Sequence, residues 1–167
     1  LLIALTCCEG CKKDDPKPLT ELEKLPAASQ SGRNTFGCLI NGKALIPSTS
    51  IDAGAVYQQG ILQMGGKSET PSKSLSIVVY EKNYGLLDTT SYPLNKYPDS
   101  AASARIQINN NLYCSYDYTN TYSGNLKITN LDRENYIISG TFEFSTVTTG
   151  CDTLKITNGR FDLKYIP

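Results

Sequence analysis

The chain has 167 residues, with sixteen Lys and Arg against sixteen Asp and Glu, no His, no Trp, eleven Tyr and six Cys. Balanced charge supplies no field to gather nucleic acid, so no nucleic-acid partner is expected. The absence of His excludes Ser-His-Asp, Cys-His and His-ligated metal mechanisms. This length leaves room for one globular domain once an N-terminal stretch of about thirty residues is set aside.

The chain opens on Leu1-Leu2-Ile3-Ala4-Leu5, which reads as the end of a signal-peptide apolar segment. It is far short of the roughly 20 apolar residues that a transmembrane helix needs. Cys7, Cys8 and Cys11 follow, and then Lys12-Lys13-Asp14-Asp15-Pro16. This arrangement resembles a bacterial lipoprotein signal, in which one Cys is acylated on sulfur and becomes the first residue after cleavage. Cys11, followed by Lys and two acids, resembles the surface-export signal of Bacteroidota lipoproteins and is the expected lipidation site. Cys8, with Leu5 three residues before it, is the alternative. Residues 1–11 are thus expected to be a signal-peptide remnant with a lipobox, and the partner that the resemblance implies is a membrane, held through a lipid anchor. The expected location is the outer membrane, on the cell surface or alternatively on its periplasmic face. Residues 12–33 carry Pro16, Pro18, Pro26 and several charges, a density that predicts a disordered polar tether. A single β-domain is expected over 34–167.

Asn41-Gly42 between two apolar runs predicts an opening β-hairpin. Leu75 to Tyr80 alternates and then turns wholly apolar, as in a strand covered on both faces near its end. Arg105-Ile106-Gln107-Ile108 alternates, and Asn109-Asn110-Asn111 reads as a turn. Further period-2 sets are Leu126 with Ile128, Phe142 with Phe144, Leu154 with Ile156, and Phe161 with Leu163 and Tyr165. Turn signals stand at Ser123-Gly124, Asn130-Leu131-Asp132, Thr149-Gly150 and Asn158-Gly159, the last predicting a second tight hairpin. The pattern predicts an all-β fold, an antiparallel β-sandwich or flattened barrel of about nine or ten strands.

Three passages carry a resemblance. Leu25-Pro26-Ala27-Ala28-Ser29-Gln30-Ser31-Gly32 with Asn34-Thr35-Phe36-Gly37-Cys38 and Asn41-Gly42-Lys43 is the first. Tyr122 to Thr129 is the second, and Ile138 to Phe144 with Ile156 to Asp162 is the third. They resemble a family of small uncharacterised Bacteroidota lipoproteins, a domain of unknown function. The resemblance implies export, lipidation and a β-fold, and it brings no catalytic residues.

The densest local cluster is Tyr113, Tyr116, Tyr118 and Tyr122. On a strand, Tyr116 and Tyr118 would share a face with Cys114, and an exposed Tyr face can stack on sugar rings or receive a protein partner. Rings packed within a sheet are the competing reading. After export a disulfide is permitted, and Cys38 with Cys151 is the pairing expected, to tie the first strand to the turn before the last hairpin, with Cys38, Cys114 and Cys151 all free and buried as the alternative. No metal site and no cofactor are expected, and no spacing of acids selects a catalytic pair. The sequence therefore points away from an enzyme, toward a non-catalytic binding module for a glycan or an envelope partner. A structural envelope component and a carboxylate-based hydrolase are the alternatives.

Overall fold

The structure is a computed structural model that describes residues 17–69, 72–80, 88–96, 101–108 and 114–167. The signal and lipidation residues Cys8 and Cys11, the Asn109–Asn111 turn and Tyr113 lie outside these residues. Ten strands run through the described chain: β1 Thr35–Ile40, β2 Lys43–Leu45, β3 Ala53–Gln58, β4 Ile61–Ser68, β5 Lys73–Tyr80, β6 Ser91–Leu94, β7 Ala102–Ile108, β8 Thr121–Asp132, β9 Ile137–Thr146 and β10 Leu154–Ile166. At Asn41-Gly42 both φ angles are positive, 47° and 77°, the geometry that lets a two-residue loop fold β1 onto β2. Gln59-Gly60 repeats it, at 51° and 77°, between β3 and β4.

Strands β3, β4, β5, β7, β6, β8, β9 and β10 bond in that order, and β10 returns to β3, closing an eight-stranded barrel. β1 lies outside the ring along β10, with β2 beyond it. Of the expected alternatives the barrel is the one formed. Its ladders are mixed, because β10 pairs parallel to β3 and β6 parallel to β7.

The period-2 sets all point into this barrel, and one of them explains a misread turn. Leu154 and Ile156 are even-numbered while Phe161, Leu163 and Tyr165 are odd, yet all five are buried. One extra residue must therefore interrupt the pleat, and the β9–β10 register shifts between Ile156 and Gly159. Asn158-Gly159 is this bulge rather than a hairpin turn, with Asn158 at φ 55°. Ser123-Gly124 also lies inside a strand, because a Cβ on Gly124 would collide with the Glu143 carbonyl and with Phe144. Asn130 to Asp132 continue β8, and the chain turns after them. Thr149-Gly150 does turn, with Gly150 at φ 77°.

An eight-stranded barrel is just wide enough for its own side chains. Leu62, Met64, Leu75, Ile77, Ile106 and Leu126 fill the interior, each fully buried. All four phenylalanines of the chain are buried, with Phe142 stacked 5.2 Å from Phe36 and 6.4 Å from Phe161. The packed interior leaves the outer faces and the ends as places where a ligand could sit.

Over residues 20–33 the expected disordered tether is corrected to a strap laid on the barrel, while its residues 12–16 lie outside the described residues. Thr20 and Glu23 cap each other reciprocally, with the Thr20 amide 2.7 Å from Glu23 Oε2 and the Glu23 amide 3.3 Å from Thr20 Oγ1. The Glu21 carboxylate accepts from Lys24 at 2.6 Å and from the Ala44 amide at 2.7 Å, on β2. Leu25 is buried, and with Pro26 it occupies the space that a Cβ on Gly37 would need. The strap then ends on Asp162, which is 1% exposed. This carboxylate accepts from Ser29 Oγ at 2.6 Å, from the amides of Ser31, Gly32 and Arg33 at 3.0, 2.7 and 3.2 Å, and from Ser139 Oγ at 2.8 Å. Composition predicted a tether because it counts apolar burial, whereas this segment docks through one Leu and a set of backbone donors.

Candidate functional site

The outer face of β3, β4, β5 and β7 carries an open trough of about 540 Å³. Its floor follows from register. Gly54, Gly65, Ser76 and Arg105 stand opposite one another on four successive strands. Two glycines and a serine leave a line across the sheet almost without side chains. The neighbouring lines keep theirs: Gln63 opposite Val56 on one side, and Lys67, Ser74 and Gln107 on the other. Missing bulk between Val56 and Gln63 on one side and Lys67 and Gln107 on the other makes the hollow.

Its two ends differ in chemistry. At the β3 end, exposed Val56 stands beside exposed Ile166 of β10. At the β7 end are Arg105, exposed and without an ion-pair partner among the described residues, and Tyr118, whose hydroxyl lies 3.1 Å from Ser76 Oγ. Lys67 meets Asp52 at 3.2 Å on the flank. The Thr49 hydroxyl first, and then the Lys67 ammonium, hold the Asp52 carboxyl below its ordinary range.

Tyr118 reaches the trough from a loop rather than from a strand. Between Cys114 and Asn120 the only ladder contact is a bridge from Tyr116 to Ile106, on the edge of β7 opposite β5. Tyr118 must therefore lean across β7 to meet Ser76. The loop is fixed to the end of β9 and the turn after it by a Cys114–Cys151 disulfide, by Tyr116 donating to the Asp152 carbonyl at 2.6 Å, and by Thr146 donating to the Asn120 carbonyl at 2.7 Å. Burial, with the nearby Asp152 carboxylate, pushes the Tyr116 phenol above its ordinary range and keeps it a neutral donor.

The expected Cys38–Cys151 pairing is corrected. Cys151 bonds to Cys114, and Cys38 is a free thiol facing the core. β1 runs along β10 outside the ring, whereas the 114–120 loop lies against the turn that holds Cys151. Burial pushes the Cys38 thiol up to about 12.

The expected Tyr surface is divided. Tyr116 is buried, Tyr118 is half-buried at the trough rim, and Tyr122 falls in β8. Tyr113 and the Tyr122 side chain lie outside the described residues. The floor went unread from the sequence, although Gly54 and Gly65 inside strand-like text are a known sign of close backbone approach. Arg105 and Gln107 are the polar positions of an alternating strand, and nothing in the sequence singles them out.

The trough is lined by a single acid, Asp52, and a cleft beneath the strap by a single acid, Glu143. Among the described residues no group of three or more His, Cys, Asp and Glu is placed to hold a metal. Fold and site together define a strapped, side-chain-filled mixed β-barrel with an open trough on its outer wall. The chain belongs to a family described as a domain of unknown function, DUF6252, whose model matches residues 48–163. No curated protein and no solved structure matches the chain.

Proposed function

We propose that the protein is a lipid-anchored envelope binding module whose trough takes a glycan. The observation that carries this reading is the floor of Gly54, Gly65 and Ser76, which lets a flat ring approach the sheet between polar walls. Sugar rings present apolar faces and hydroxyl edges. Val56 and Ile166 suit the faces, and Gln63, Gln107, Arg105 and the Tyr118 hydroxyl suit the edges. A bridge holds the Tyr118 loop in place, so part of the ordering cost is met before a ligand arrives. The chemistry is binding without turnover, since the trough offers one acid, already paired with Lys67.

Gly54 permits a clean test. A Cβ there meets nothing within 4 Å and the residue is in extended backbone, so the Cβ of Gly54→Trp is accommodated and its ring projects into the trough. The thermal midpoint should hold or rise, since Gly weakens a strand interior. Affinity for glycans identified on an array of envelope polysaccharides should fall at least about tenfold, or about 1.4 kcal/mol. Tyr118→Ala should weaken the same binding by about 1 kcal/mol. Undiminished affinity in Gly54→Trp would remove the trough as the site. An interaction blocked by Gly54→Trp yet insensitive to free sugar would identify a protein partner instead.

The anchor is tested separately, by fractionation and surface-protease shaving of cells expressing the native protein and its Cys11→Ala and Cys8→Ala variants. Membrane association abolished by Cys11→Ala, with cleavage from outside in the native protein, is the expected result. Retention on the membrane in both variants would refute acylation at either Cys.

A further inference from the structure

On another arc of the barrel, the strap and the outer face of β8, β9 and β10 enclose two hollows of about 520 and 230 Å³ that share Ala28, Thr141 and Arg160 as walls. Register again sets the chemistry. Arg160, Thr141 and Lys127 stand opposite one another on three adjacent strands, putting two cations on one line with a hydroxyl between them. Glu143 borders the larger hollow, yet neither cation is in an ion pair among the described residues.

Arg160 is the unusual member. Its Nε is buried with no acceptor among the described residues, an arrangement that costs about 1–3 kcal/mol unless something supplies one. Asp162, two residues further along β10, is consumed in holding the strap, while Arg160 lines both hollows beneath it. A planar guanidinium matches two oxygens of a carboxylate or phosphate, and Lys127 adds a point charge on the same line. Asn125 and Asn158, which also border the larger hollow, offer amide donors and acceptors for hydroxyls.

We propose that this cleft binds an oxyanion borne on a small hydroxylated molecule, with the anionic group between Arg160 and Lys127 and its hydroxyls toward Asn125 and Asn158. The site is independent of the trough. Its ligand is an acidic sugar if the group is a carboxylate and a sugar phosphate if it is a phosphate.

The test is calorimetric titration of the full chain at low salt with glucuronate, glucose 1-phosphate and neutral methyl glucoside. At least one anionic probe should bind saturably and at least about tenfold more tightly than the neutral one, the difference expected of one charge-assisted contact. The better of the two anions identifies the group. Arg160→Gln should weaken that binding about tenfold and Lys127→Gln about threefold, while Gly54→Trp in the trough leaves it unchanged. If Arg160→Gln fails to fold by its thermal midpoint, Lys127→Gln, at an exposed position, decides alone. No saturable binding, equal binding of methyl glucoside, or undiminished affinity in the folded variants would overturn the proposal. Loss in Gly54→Trp would equally overturn it, assigning the anion to the trough.

Discussion

Removing the Cys114–Cys151 bridge should lower the unfolding free energy by about 4 kcal/mol, because the joined residues stand 37 apart in sequence. In the chain-entropy account, cutting a cross-link of this span restores to the unfolded ensemble the freedom of the two long strands it encloses, β8 and β9. For a domain near 150 residues, each kcal/mol moves the midpoint by about 2–4 °C, so the Cys114→Ser/Cys151→Ser protein should melt about 8–16 °C lower. The native protein in reductant should match it. Cys38→Ser is the control, since that thiol takes no part in the bridge. The bridge also fixes the loop that delivers Tyr118, so glycan affinity should fall by at least as much as in Tyr118→Ala, even well below the new midpoint. A midpoint shift under about 2 °C would mean that Tyr116 and Thr146 hold the loop without the disulfide.

The parts of this fold that were legible in the sequence are those that local chemistry decides. Asn41-Gly42 turns because both residues accept positive φ, and β5, β7 and the aromatic C-terminal strands follow from period-2 burial. The same local rules misassigned Asn158-Gly159, where positive φ serves a bulge, and Gly124, where the missing Cβ serves a close approach to β9. Only pairing partners distinguish a turn glycine from a packing glycine. The trough was hidden for a related reason. Gly54, Gly65 and Ser76 are unremarkable singly, and they become a floor through a register that joins residues on three strands. The sequence places Tyr118 on a strand face with Tyr116, exposed or packed within a sheet, and its place at the trough rim depends on a disulfide whose partner the spacing did not give.

The strap makes the other large prediction. Ser29, Ser31, Gly32 and Asp162 come from two of the passages that carried the family resemblance, and in space they form one contact. Burial alone would raise the Asp162 carboxyl. The Ser29 hydroxyl, the Gly32 and Ser31 amides and the Ser139 hydroxyl outweigh it and hold the group at about 2, below the 3.8 of a free side chain. A carboxyl depressed on folding stabilises fully above its unfolded value, and that stabilisation is lost as pH falls through the folded one. The difference is worth on the order of 2 kcal/mol, lost between about pH 4 and pH 2. Asp162→Ala should remove it at neutral pH and also strand the Ser139 hydroxyl, for a total cost of about 2–4 kcal/mol. The acid limb of its stability profile should then be correspondingly flatter. Most of the freed donors lie on the strap and regain water by leaving the barrel, so the variant should expose Lys24 and Arg33 to trypsin before the barrel unfolds. The amides of Ser31, Gly32 and Arg33 should lose protection from hydrogen exchange while those of β4 and β5 keep it. A barrel that unfolds together with its strap would show the two to be one cooperative unit. If the strap does separate, the cleft at Arg160 loses a wall while the trough keeps all of its residues. Asp162→Ala should then abolish oxyanion binding and spare glycan binding, an outcome that a general loss of stability could not produce.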